Sequence, residues 1–153
     1  MYNIELEHLT LENAQMQILH ATENLCDTFK LSEHFGTLSF ALHETVNLME
    51  RFCENQADDF SVNFYIDSEK ISTQIIGYQN IQELSAVLSH ATLNDAETSA
   101  FTVMNLVDNI EFRNNQSEIW MEFHVKPTLD AINRSDLLKK EIFQNDAHRK
   151  ETF

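Results

Sequence analysis

The chain has 153 residues, 42% of them apolar, and carries a formal charge of −15 from ten Lys and Arg against 25 Asp and Glu. That suits one domain with a real core and argues against a disordered chain. Two glycines (Gly36, Gly77) and one proline (Pro127) exclude a P-loop, a dinucleotide-binding fingerprint and a Gly/Ser linker, because a bare-backbone phosphate cradle is built from glycines.

From the N-terminus, Asn3–Leu9 alternates Ile4 and Leu6 with Glu5 and Glu7 and predicts a strand with one wet face. Over Glu12–Leu31 the period changes, with Ile18, Ala21, Leu25 and Phe29 forming one stripe of a helix of about five turns. Ser32 is placed to cap a second long helix, whose apolar band runs through Leu38, Leu42, Val46, Met49 and Phe52/Cys53. After a polar break at Asn55–Asp59, two alternating runs, Val62–Ile66 and Ile71–Ile76, flank the turn residues Asp67–Lys70 and predict a hairpin.

Asn80 with Glu83, and Asn94 with Glu97, have capping-box spacing ahead of two shorter helices. Strands at Asn109–Asn114 and Ser117–Lys126 follow, joined by Asn114-Asn115-Gln116. Pro127 and Thr128 then break the chain, and a last helix is expected at about Asn133–Asn145, capped by Asn133 or Ser135. The order β-α-α-β-β-α-α-β-β predicts an α/β two-layer sandwich: one mixed, mainly antiparallel sheet with helices on one face, over residues 1–126, plus a tail with one helix over 127–153.

Charge is unevenly distributed. Residues 1–125 hold four basic and twenty acidic side chains, a net of −16, and residues 126–153 hold six basic and five acidic, a net of +1. So acidic a body repels nucleic-acid phosphates and anionic membrane surfaces, so neither is expected as a partner; a protein with a basic face is. No apolar run is long enough to span a bilayer, and the first residues have the wrong charge for a secretory leader. Cys26 and Cys53 each lie in an apolar helical stripe and are expected to be buried free thiols, which fits a cytoplasmic location.

Seven scattered histidines offer no pair at ligand spacing, so no metal site is expected. His43-Glu44-Thr45-Val46-Asn47 puts an amide where a zinc-protease motif needs its second histidine. Alternation places Trp120 on the face opposite Met121 and Phe123, where an exposed indole would be a partner anchor. The tail helix carries Leu137, Leu138, Ile142 and Phe143 and, being marginal alone, must dock; Leu138 and Phe143 are its candidate contacts.

Several strings, read in order, resemble the anti-sigma-factor serine kinases, a branch of the GHKL (histidine-kinase-like) ATPases. Phe40-Ala41-Leu42-His43-Glu44-Thr45-Val46 looks like the helix with the family's N-box, Ser61–Ile76 like the hairpin after it, Ala100–Phe112 like the late helix running into a strand, and Glu118–Val125 like the closing strand. The resemblance puts Glu44 at the catalytic base position. It puts Leu48 where an Asn would hold Mg²⁺, Gly77 where an Asp would accept from adenine, and Gln79 where a Gly would follow. Thr92–Ala100 contains no glycine for a phosphate lid. A side chain such as Leu48 cannot ligate a metal. The resemblance therefore implies a dimerising domain that holds a sigma factor or anti-anti-sigma-like protein. It is expected to act as a non-catalytic regulatory module with no cofactor. The alternatives are a divergent Mg-ATP-dependent serine kinase using Glu44, and a small-ligand sensor using the vacated pocket.

Overall fold

The computed structural model describes residues 2–52, 59–91 and 98–151, with side chains described for these except at 98 and from 143 onward. Among the described residues, five strands and five helices follow in the order β1 (Tyr2–Leu9), α1 (Leu11–Thr28), α2 (Ser32–Phe52), β2 (Phe60–Ile66), β3 (Lys70–Ile76), α3 (Ile81–Ser89), α4 (Thr98–Leu106), β4 (Asn109–Arg113), β5 (Glu118–His124) and α5 (Lys126–Glu151). The strands form one sheet in the spatial order β1-β2-β3-β5-β4. Every pairing in it is antiparallel, which corrects the expected mixed sheet. The two hairpins, β2–β3 and β4–β5, meet through β3 and β5, and a helix pair joins them, so the chain returns without needing a parallel crossover.

Alternation sorts the strand residues into two faces. Val62, Phe64 and Ile66 of β2, Ile71 and Ile75 of β3, and Ile119, Met121 and Phe123 of β5 are buried in one cluster with Ile18, Leu25, Leu38, Leu42 and Met49 from α1 and α2. One core between a sheet and a helical layer is the two-layer arrangement of an α+β domain. A bulge repairs the phase of β1. Leu6 pairs with Val62 and Leu9 with Phe60, one extra residue on β1, and His8 takes φ +57° there, so that Leu9 turns inward and is buried. The exposed His8 Nδ1 lies 2.9 Å from Asp59 Oδ2 across that bulge, and this carboxylate holds the imidazole pKa above its ordinary value.

The turns follow the side chains available in a chain so poor in glycine. Asp67 Oδ1 accepts from the amides of Glu69 (2.8 Å) and Lys70 (2.9 Å), closing the β2–β3 hairpin and lowering the carboxyl pKa. Asn114, Asn115 and Gln116 all take positive φ between β4 and β5, where asparagine tolerates the left-handed region best.

Three local expectations are corrected. The last helix begins at Lys126, not Asn133: Pro127 sits in its first turn, where the missing N–H has no intrahelical partner to lose. Thr128 donates to Glu33 and lies 2.7 Å from His34 Nε2, tying this turn to the start of α2. Asn80 does not cap α3, because its amide donates instead to the carbonyl of Phe52 at the end of α2. Ser32 is the first residue of α2 itself.

The box at Asn94–Glu97 lies outside the described residues, as does Cys53. Cys26 is buried as a free thiol, and burial, with Asp27 adding, pushes it up to about 11. Among the described residues no helix is long and apolar enough to cross a membrane.

Candidate functional site

The positions singled out by sequence fall into three places. Glu44 and Leu48 are one turn apart on α2. Glu44 is half-buried with no hydrogen-bond or ion-pair partner among the described residues, and Leu48 is fully buried. Asn47, the amide nearest the expected metal-ligand position, faces α1: Gln15 Nε2 donates to Asn47 Oδ1 (3.3 Å) and to the His43 carbonyl (3.2 Å), while Gln15 Oε1 lies 3.0 Å from His43 Nδ1. His43 and Asn47, four residues apart on one helical face, thus form a clasp between α1 and α2.

Gly77 and Gln79 follow β3, both exposed. Gly77 takes φ +81°, which a side chain rarely adopts, while an added Cβ would meet Phe60 Cα and Asp59 O at 3.6 and 3.7 Å, ordinary contact. Backbone conformation, not space, requires glycine here. Between the two, Tyr78 turns inward to 2% exposure, donates from its hydroxyl to the Met49 carbonyl (2.6 Å) and meets the Phe60 ring edge-on at 6.0 Å. The segment carrying Gly77 and Gln79 is therefore fastened to α2 one residue beyond Leu48. Among the described residues no group of three or more His, Cys, Asp and Glu could hold a metal ion.

Trp120 lies on the other face of the sheet, opposite the helical layer, and is half-buried rather than freely exposed. Its ring stacks on Tyr65 (centroids 5.6 Å apart, 25° between planes) and lies 4.5 Å from the Arg113 guanidinium. Register explains this. Trp120 pairs with Gln74 of β3 on one side and Glu111 of β4 on the other; on the same face Tyr65 comes from β2, one strand beyond β3, and Arg113 from β4. Arg113 also bonds Glu111 at 2.6 Å.

Beneath these rings Gln74 Oε1 accepts from Asn63 (3.1 Å) and Tyr65 (3.3 Å), and Gln74 Nε2 donates to Glu118 (2.7 Å), which also accepts from Asn114. Among the described residues two buried polar atoms of this face, Asn63 Oδ1 and Trp120 Nε1, have no hydrogen-bond partner. Nearer the β2–β3 turn, Lys70 and Glu122 pair at 2.8 Å, with Asn109 donating to the second carboxylate oxygen. The pairing holds the Glu122 carboxyl below and the Lys70 amine above their ordinary values.

Both cations of this face, Lys70 and Arg113, are thus engaged by Glu122 and Glu111, and Glu5, Glu7 and Glu118 add further negative charge. The arrangement can stack a flat group and accept hydrogen bonds from cationic side chains. Sequence reasoning found Trp120 but missed Tyr65 and Arg113. The signal was present, since Tyr65 alternates against Phe64 just as Trp120 alternates against Met121.

The third place is α5. Leu138 is 58% exposed, beside the equally exposed Leu137 and Ile142; the Phe143 side chain lies outside the described residues. No protein-family model matches the chain, and no curated protein matches it.

Proposed function

We propose that the chain is a regulatory protein-binding module, built on a fold like that of the anti-sigma-factor serine kinases and acting through the open face of its sheet rather than through nucleotide chemistry. The observation that carries this reading is the Tyr65–Trp120–Arg113 stack, an aromatic platform with acidic surroundings on a sheet face that the helical layer leaves uncovered. Aromatic and Arg side chains dominate the energetics of protein interfaces, and carboxylates around them select a basic partner and accelerate its association. The partner is a protein with a basic face, a sigma factor or an anti-anti-sigma-like protein by resemblance.

Two further features support this reading. The element order agrees with the resemblance, and Tyr78 brings the segment of Gly77 and Gln79 against α2 beside Leu48, where such a fold would gather its nucleotide-binding positions. Those positions carry the wrong chemistry. Leu48 packs into the core, Gly77 has no carboxylate to accept from an adenine amino group, and Asn47 is committed to Gln15.

Calorimetric titration with Mg-ATP and affinity capture with purified bait test the proposal together. The expected result is no heat of nucleotide binding, with a discrete captured protein lost on Trp120→Ala while the fold is kept and the thermal midpoint falls by only a few degrees. Divalent-dependent ATP binding that Glu44→Ala abolishes overturns it, as does capture indifferent to Trp120 and Tyr65.

A further inference from the structure

The five-stranded sheet ends on one side in β1, and the hydrogen-bond phase of the neighbouring hairpin fixes what that edge presents. The Asp67 amide donates to the Lys70 carbonyl (3.1 Å), which makes these two a bonded pair at the β2–β3 turn. Bonded and unbonded pairs alternate along antiparallel strands. Tyr65 and Asn63 therefore bond Ser72 and Gln74, while Phe64 and Val62 turn their amides and carbonyls toward β1. Ile4 and Leu6 stand opposite those two and answer them, so Asn3 and Glu5 point their backbone groups away from the sheet. Among the described residues no strand pairs with that side of β1.

The side chains of this edge divide by face. Ile4 and Leu6 lie half-buried against the core, an apolar shelf that stops at the edge. Asn3, Glu5 and Glu7 are exposed and alternate with them, Asn3 opposite Tyr65 and Glu5 opposite Asn63. Glu5 accepts from Asn3 (3.2 Å), and among the described residues neither Glu5 nor Glu7 has an ion-pair partner. The imidazole of His8 is engaged by Asp59, and the bulge there ends the regular pairing of the strand. At the opposite edge of the sheet the carboxylates are already occupied: Glu111 is held by Arg113, and Asp108 accepts from the His124 amide (2.7 Å). Open backbone groups and uncompensated carboxylates thus coincide on β1.

We infer that β1 is a docking edge for an extended segment of another protein, one that alternates Lys or Arg with apolar residues and adds a sixth strand. Strand addition draws its affinity from backbone bonds and its specificity from alternate side chains. Residues added opposite Asn3 and Glu5 form bonded pairs, with Cα atoms about 5.5 Å apart and side chains on the same face. Basic side chains at alternate positions there lie against Glu5 and Glu7, and the apolar residues between them cover Ile4 and Leu6. A second copy is a poor occupant. Two β1 strands paired antiparallel about Glu5 set like carboxylates opposite each other, which is destabilising. The charges that discourage self-pairing at this edge are the ones that select a basic strand. The inference goes beyond the sheet-face reading and does not rest on it, because strand addition uses β1 and not the Trp120 stack.

Titration of the full chain with a capped octapeptide alternating Lys and Val tests it, read by calorimetry and by residue-resolved amide exchange. The expected result is saturable binding whose dissociation constant rises with salt. Exchange at Asn3 and Glu5 should slow about tenfold or more, and exchange at Ile4, already bonded to β2, should change far less. An isomeric peptide with its lysines in one block keeps the charge and loses the alternation, and should bind about tenfold more weakly or worse. Asn3→Pro is the decisive variant. It removes an outward amide while keeping both carboxylates and the β1–β2 bonds, so the thermal midpoint should hold while affinity falls about tenfold or more. Should that variant fold poorly, Glu5→Lys with Glu7→Lys provides a second arm, expected to lose the Lys–Val peptide and to accept a Glu–Val one. Equal binding of the two isomers, protection that does not alternate, a charge reversal without effect, or a self-associated chain that Asn3→Pro makes monomeric overturns the inference. None of these outcomes bears on capture through Trp120, so the two readings fail separately.

Discussion

Phe64 and Tyr65 are neighbours on β2, yet they answer to different demands. Phe64 is fully buried in the core, whereas Tyr65 stacks on Trp120 and donates to Gln74 on the face turned away from α1 and α2. The inner face contributes cohesion, in proportion to the apolar area removed from water. The outer face has been given side chains that hold one another in place without being covered, and its net negative charge would make it a poor core but a selective surface. A single strand thus carries two separable properties, and substitutions at alternate positions should separate them.

The largest effect belongs to the inner face. Phe64→Ala should cost about 3–5 kcal/mol of folding stability by leaving a cavity, read from denaturant unfolding. Tyr65→Ala should cost far less while impairing partner capture, and an equal loss from both would erase the distinction between the faces. Next comes a misfit of the inner face. Among the described residues the fully buried Thr73 hydroxyl has no partner, so Thr73→Val should stabilise the protein by about 1 kcal/mol, raising the melting temperature by roughly 2–4 °C.

On the outer face, a double-mutant cycle on Tyr65→Ala and Trp120→Ala should return a coupling of about 1 kcal/mol in stability, the stacking of the two rings. A zero coupling would mean that the platform is not preorganised. The smallest effect is the pH dependence of the Lys70–Glu122 pair. Glu122 has a lowered folded pKa, so its contribution is present above the ordinary glutamate value of 4.5 and is lost as pH falls through the folded value. Lys70 has a raised one, so its contribution is full below 10.5 and is lost as pH rises through the folded value. Glu122→Gln should flatten the acid limb of the stability profile without changing the plateau's width on the alkaline side by more than the loss of the pair itself.

Period-2 alternation made the hairpins legible, and three- and four-residue apolar spacing made α1 and α2 legible, because both patterns are local consequences of burying one face. What escaped depended on distant partners. Asn80 had a good local capping pattern, but the Phe52 carbonyl, 28 residues earlier, takes its amide. Pro127 looked like a break because the rule against proline in helices does not hold in the first turn. Trp120 was assigned its face by alternation, but alternation does not say that Tyr65 and Arg113 flank the ring, which needs the register of four strands.

The clasp at the end of α2 bears on the order in which the molecule assembles. The last carbonyls of a helix find no acceptor role within it, and a chain with two glycines has little means of closing them locally. Here Tyr78 satisfies Met49 and Asn80 satisfies Phe52, and both side chains follow β3. The final turn of α2 therefore lacks these two donors until the hairpin has formed and docked. Its amides should exchange hydrogen in step with the β2–β3 hairpin rather than with the rest of their own helix.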